Sequence, residues 1–267
     1  ADQYVYPNQQ EATTMFYHDH ALGMTRINVY SGLAAFYLLL DPNAEALFPG
    51  GKLDRTVDRF GQPFQVGMAF QDRMFDTNGQ LYFTSDGINP EHPFWMPEFF
   101  GDVMLVNGRS WPYMNVEPRR YRFRWVNGSN ARFYQLKLVD ATTGTPGTAG
   151  PTFWQIGSDG GLLDSPVGLN NPASATPMPL IMAPGERADI IIDFAAFAGK
   201  TLTMVNSANA PFPNGDPPGS IGEIMQFRVG ARVPRQVDWT INPALWRLIR
   251  WPLIERPAVP AITRALT

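Results

Sequence analysis

The 267 residues carry 21 Lys and Arg against 24 Asp and Glu, a formal charge of −3 with a pI near 5.6, and are 44% hydrophobic but only 17% charged. That balance offers no basic footprint for nucleic acid or an anionic membrane surface, and it excludes disorder as a description of the whole chain. Without cysteine there can be neither a disulfide nor a thiolate metal site within the chain, and 24 Gly and 25 Pro scattered without period predict short strands joined by many turns: an all-β chain with little helix.

Ala1 to Glu11 is polar, with neither a charged lead nor an apolar run, so it shows no signal peptide; the chain reads as entered in mid-domain. Then comes Phe16-Tyr17-His18-Asp19-His20, which reads as extended chain. Residues two apart on a strand share a face, so His18 and His20 project together with Cα atoms about 6.5–7 Å apart, wide for chelating one ion but suited to one imidazole on each of two neighbouring metals. Neutral imidazole suits copper, zinc, iron and nickel. A His-x-His pair alone is more often a feature of a surface strand. Its setting argues for metal, because small residues and the apolar run Leu33 to Leu40 follow it, and that run predicts a buried strand ending at Asp41-Pro42. Asp19 faces away from the pair and is expected as a supporting or solvated residue.

Residues 1–42 therefore read as the end of one domain. Residues 43–232 read as a second, complete β domain, with strands predicted at Phe64 to Phe70, Val103 to Val106, Arg120 to Val126, Phe133 to Val139, Phe153 to Ile156, Leu180 to Met182, Ala188 to Phe194, Thr201 to Val205 and Ile224 to Val229. Met74 to Phe83 carries the Asn-Gly signature of a tight hairpin. In Arg120 to Val126, Tyr121, Phe123 and Trp125 alternate with Arg120, Arg122 and Arg124, which predicts one buried and one wet face. Turns fall at Asn107-Gly108, Asn127-Gly128, Asp159-Gly160-Gly161, Pro184-Gly185 and Asn214-Gly215, the spacing of a Greek-key sandwich or barrel. Asn127-Gly128-Ser129 matches a glycosylation sequon but is read as a turn, and Glu186 and Arg187 are expected as ion partners. His92, flanked by prolines, reads as a loop residue. From 233 to 267 the prolines predict a semi-extended linker leading toward a further unit. No apolar run approaches the roughly 18 residues that span a bilayer.

The string from Phe16 to Gly32 resembles the second copper-binding motif of the multicopper oxidases, nearest to their bacterial laccase, bilirubin oxidase and phenoxazinone synthase branch. Val106 to Pro112, Val116 to Arg124, Ile156 to Leu163 and Ala183 to Phe194 are similar to the middle cupredoxin-like domain of that branch, which extends the likeness to nearly the whole chain. The resemblance implies that His18 and His20 each bind one copper of the binuclear type 3 pair of a trinuclear cluster, where dioxygen is reduced to water. It implies a middle domain without copper ligands. The cysteine-dependent blue-copper site, the first His-x-His motif and the third domain are then expected on other segments of the same enzyme, with a phenolic or similar one-electron donor as reductant. An extracellular, periplasmic or cell-surface location is expected on the same ground.

Two other functions compete. One is a non-catalytic β-sandwich binding or interaction module that keeps a vestigial histidine pair. The weaker one is a two-histidine zinc hydrolase, for which no third ligand or general base stands at suitable spacing. The loop from Asn206 to Gly219 is long and proline-rich for a compact domain; by resemblance it lies near the rim of a reductant pocket, and a plain solvated connection explains it equally well.

Overall fold

A computed structural model describes residues 4–51, 56–84, 96–142 and 148–232, together with Thr240 and Pro243. In chain order the elements are β1 (Thr13–His18), α1 (Thr25–Tyr30), β2 (Ala34–Leu39), α2 (Pro42–Glu45), β3 (Gln65–Arg73), β4 (Val103–Val106), β5 (Arg109–Ser110), β6 (Tyr113–Val116), β7 (Arg120–Asn127), β8 (Tyr134–Asp140), β9 (Thr148–Ala149), β10 (Phe153–Ser158), β11 (Gly161–Leu169), β12 (Leu180–Met182), β13 (Arg187–Asp193), β14 (Thr201–Asn206) and β15 (Glu223–Val229). One sheet runs β11-β10-β13-β7-β3-β4-β5 and a second runs β12-β8-β14-β15-β6, with β9 beside β8. The strand order departs from sequence order, and the parallel pairs β3 with β7 and β6 with β15 sit among antiparallel neighbours, the crossovers of a Greek-key, cupredoxin-like sandwich.

The core lies between the two sheets. Tyr121, Phe123 and Trp125 of β7 are fully buried there, and the Phe123 ring meets Phe227 and Phe194 edge-on at 5.4 and 6.3 Å. The opposite face of β7 overturns the expectation of a wet arginine side. Arg122 and Arg124 are 1% and 3% exposed, because α2 covers them and because β13 supplies a carboxylate at the right register. Arg122 grips both oxygens of Asp189, at 2.8 and 2.6 Å, and donates to Glu45; Arg124 donates to Glu45 and to the Thr14 hydroxyl, each at 2.9 Å. The Phe48 ring lies under the Arg122 guanidinium at 4.2 Å. Period two located the two faces, but a solvated charge and a paired, buried charge have the same pattern in sequence.

Other differences have local causes. The run Leu33 to Leu40 forms β2, but Leu33, Leu38 and Leu40 are 57%, 42% and 55% exposed, because β1 and β2 pair only with each other among the described strands. Thr25 to Tyr30 forms the helix α1, held down by Tyr30. That buried side chain donates to the Tyr82 carbonyl at 2.7 Å and accepts from the Met74 N–H at 2.8 Å. The Asn78-Gly79 turn closes, but only Phe75 and Leu81 bridge across it, so no full hairpin forms. The Asn127 side chain accepts from the Ser129 N–H at 3.0 Å, so the chain does turn there as expected. Asn127 ends β7 fully buried and donates to the Arg132 and Met182 carbonyls, which also leaves the sequon out of reach of modification.

β11 carries no clear strand pattern, because Pro166 interrupts it; as the edge strand of its sheet it tolerates a residue that cannot donate to a ladder. The four-residue β6 is too short to show a pattern of its own. His92 and the segment 233–267, apart from Thr240 and Pro243, lie outside the described residues.

Candidate metal centre

β1 starts buried at Thr13 and Thr14 and ends exposed at Tyr17 and His18, so the strand is anchored at one end and overhangs at the other. The anchors come from the large sheet. The Thr13 hydroxyl donates to the Asp159 carbonyl at 3.1 Å, and Arg124 donates to Thr14. Opposite Phe16 in the ladder stands Phe36 of β2, whose ring occupies the space left by Gly67: a Cβ there would sit 3.0 Å from it.

The overhang carries the two predicted ligands side by side. Their ring centroids are 5.6 Å apart at 27°, and the Phe16 ring stacks on His18 at 5.3 Å and 25°. His18 Nδ1 lies 2.7 Å from the Asp19 carbonyl oxygen. A carbonyl can only accept, so Nδ1 carries the proton and Nε2 keeps its lone pair for a metal. No hydrogen bond engages the His20 ring among the described residues, and both side chains are exposed. These are two imidazoles side by side on an exposed segment, a donor type that copper accepts. Among the described residues no group of three or more His, Cys, Asp and Glu side chains could close a site around an ion.

Asp19 has a definite task. Its carboxylate accepts from the Asn28 side chain at 2.9 Å and from the Ala21 N–H at 3.1 Å, tying the His18–His20 bend to α1, and these bonds hold its carboxyl below the ordinary range. The Asp19 N–H donates to Leu33 O at 3.0 Å, closing the segment against the start of β2. Glu186, expected beside Arg187, instead accepts from the Ala183 N–H at 2.7 Å, while Arg187 pairs with Asp159 at 3.2 Å. The structural importance of Glu45 was not foreseen, although Asp41-Pro42 just before it is a helix-start signal: Asp41 caps α2 by accepting from the Asn43 N–H at 2.9 Å.

No family model matches the chain. A laccase of Bacillus subtilis (strain 168) is 41% identical over 232 residues, which is 85% of this chain and 39% of that protein. A laccase of Bacillus stratosphericus is 38% identical over 246 residues, 90% of this chain and 42% of that one. Among solved structures, the McoA multicopper oxidase from the hyperthermophile Aquifex aeolicus superposes with a TM-score of 0.67 at 32% identity, covering 86% of this chain and 44% of that chain. The chain thus spans about two fifths of the length of the two laccases.

Proposed function

The chain belongs to the multicopper oxidase family, and from that premise we propose that it is the part of a laccase-like enzyme that supplies two imidazoles to the copper cluster and the middle domain that supports them. Residues 1–42 are the end of a first cupredoxin-like domain, 43–232 the copper-free second domain and 233–267 the approach to a third. His18 and His20 each hold one copper of the binuclear pair, and the remaining ligands come from other segments of the same enzyme. Copper held there would supply one-electron redox chemistry for the reduction of dioxygen. The reductant is a phenolic or similar one-electron donor, and the location is extracellular, periplasmic or at the cell surface; no helix among the described residues is long and apolar enough to cross a membrane.

The observation that carries this reading is the side-by-side pair of rings 5.6 Å apart. The two imidazoles stand next to each other on one exposed segment, which is the placement the ligand assignment requires. The proline-rich loop after β14 is ordered by Phe212 stacking on Phe133 at 4.7 Å and 10°, and as a rim it shapes access for bulky donors.

Competition titration of the chain with Cu(I) tests the ligand assignment. His18→Ala and His20→Ala are each expected to weaken binding by tenfold or more, and His92→Ala to leave it unchanged. The chain alone is not expected to hold three coppers with oxidase activity; if it does, the dependence on other segments is wrong. Full retention of copper in His18→Ala/His20→Ala would leave the non-catalytic module. In the complete enzyme either single variant is expected to abolish dioxygen reduction and spare the blue absorption of the electron-entry site.

A further inference from the structure

The face of β1 that ends in the histidine pair is continued inward by an unbroken ladder of contacts. His20 stacks on His18, and His18 stacks on Phe16. The Phe16 ring lies 5.3 Å from the Arg187 guanidinium carbon and against the Pro184-Gly185 turn, where a Cβ on Gly185 would be 3.7 Å from it. Arg187 is itself fixed on every side. Its Nε donates to the Thr14 carbonyl at 3.2 Å, one guanidinium nitrogen to Gly185 O at 2.9 Å and the other to Asp159 O at 3.3 Å, and its own N–H donates to the Asp159 carboxylate at 2.7 Å. A planar guanidinium with its donors spent in this way cannot rotate without giving up several bonds.

We infer that Arg187, at the start of β13 in the domain without copper ligands, is a positioning residue for the His18 and His20 rings, acting through Phe16. The physical need is plain. His18 and His20 are exposed, they sit past the anchored end of a six-residue strand, and an exposed imidazole has free rotation about its side-chain bonds unless something holds it. The Asp19 carbonyl fixes one ring nitrogen of His18. The second restraint is the Phe16 face, which owes its place to Arg187 and the Gly185 turn. A lysine could keep the charge but not the flat face or the three-way bonding.

This inference rests on the copper assignment of the pair, yet ring positions are readable without metal. The chain has three histidines, so carbon-13 labelling of histidine yields three ring signals. In the metal-free chain, Arg187→Ala and Arg187→Lys are expected to shift the His18 and His20 signals while leaving that of His92 in place. Arg228→Ala, which removes a comparable guanidinium from Tyr113 at 3.7 Å, should leave all three. Phe16→Leu keeps every Arg187 bond, so it should remove the ring-current shift of His18 while the fold persists; it decides the matter if the Arg187 variants do not fold. Cu(I) affinity of the pair should fall by about tenfold in Arg187→Lys, the low end for residues that support ligands from outside the ligand shell. His18 and His20 signals unmoved in a folded Arg187→Lys or Phe16→Leu would overturn the inference. Signals that move as expected in a chain that binds no Cu(I) would overturn the copper assignment instead.

Discussion

Removing Asp189 should be among the most damaging single changes in the chain. Its side chain is 5% exposed and that of Arg122 is 2% exposed, with the closest contact between them 2.6 Å. Burial presses on both arginines. Around Arg122 the Asp189 and Glu45 carboxylates outweigh it and leave the group above its ordinary value, whereas Arg124, with the charge of Arg122 beside it, ends below its own. Asp189→Ala would leave two buried guanidiniums sharing Glu45. Breaking a buried pair from one side costs about 3–5 kcal/mol, and at about 2–4 °C per kcal/mol for a domain of this size the melting temperature should fall by about 6–20 °C. Replacing the pair together, Asp189→Leu with Arg122→Met, should recover much of that loss, because Arg124, which loses its 3.4 Å contact with Asp189, then has Glu45 to itself at 2.9 Å. Thermal melts of the two singles and the double measure the coupling. A drop of under 2 °C in Asp189→Ala, no more than a surface pair gives, would refute the picture of a dry cluster, as would a double variant worse than either single.

Tyr30→Phe should cost about 1–3 kcal/mol, since it leaves the Tyr82 carbonyl and the Met74 N–H without their buried partner, and hydrogen exchange should show the loss in α1 before the sandwich core. The Asp140 carboxyl is held below its ordinary value by the Thr142 hydroxyl and N–H and by Lys200, so it contributes stability above its unfolded pKa that disappears as pH falls through the lower folded value. Melts of wild type and Asp140→Asn should therefore differ slightly at neutral pH, by under about 1 kcal/mol for a carboxylate whose lysine partner is half exposed, and converge as pH falls through the lowered folded value; a gap that persists in acid would refute the carboxylate as its source. Shortening the 206–219 loop in the complete enzyme should change kcat/KM for a bulky donor relative to a small phenol and leave dioxygen reduction intact; an unchanged ratio would make the loop a plain connection.

The sandwich was legible wherever β-branched and aromatic residues run between turn formers. The core strands β7, β13, β14 and β15 are such runs, and their predicted limits fall within a residue or so of those observed. Legibility failed where tertiary contact decides. α1 is six residues, five of them poor helix formers, kept helical by one buried tyrosine, and β11 hides behind a proline that only an edge position excuses. The arginines of β7 looked solvated because nothing near them in sequence announces Glu45 or Asp189, which lie 77 and 67 residues from Arg122.

The candidate metal centre divides along the same line. Adjacency of His18 and His20 follows from two-residue spacing on extended chain, so it could be read from five letters, and the stacked rings agree with it. What keeps those rings from wandering could not be read so, because Arg187 meets β1 from 173 residues away. Besides the ladder with β2, the grips on the base of the strand, from Arg124, Asp159 and Arg187 alike, come from residues 43–232, which hold none of the proposed ligands. Residues 43–232 thus hold β1 at three separate points, and the proposed ligands stand at the free end of that strand. If the pair takes copper as proposed, the stability of that β unit and the geometry of the metal centre are a single physical problem.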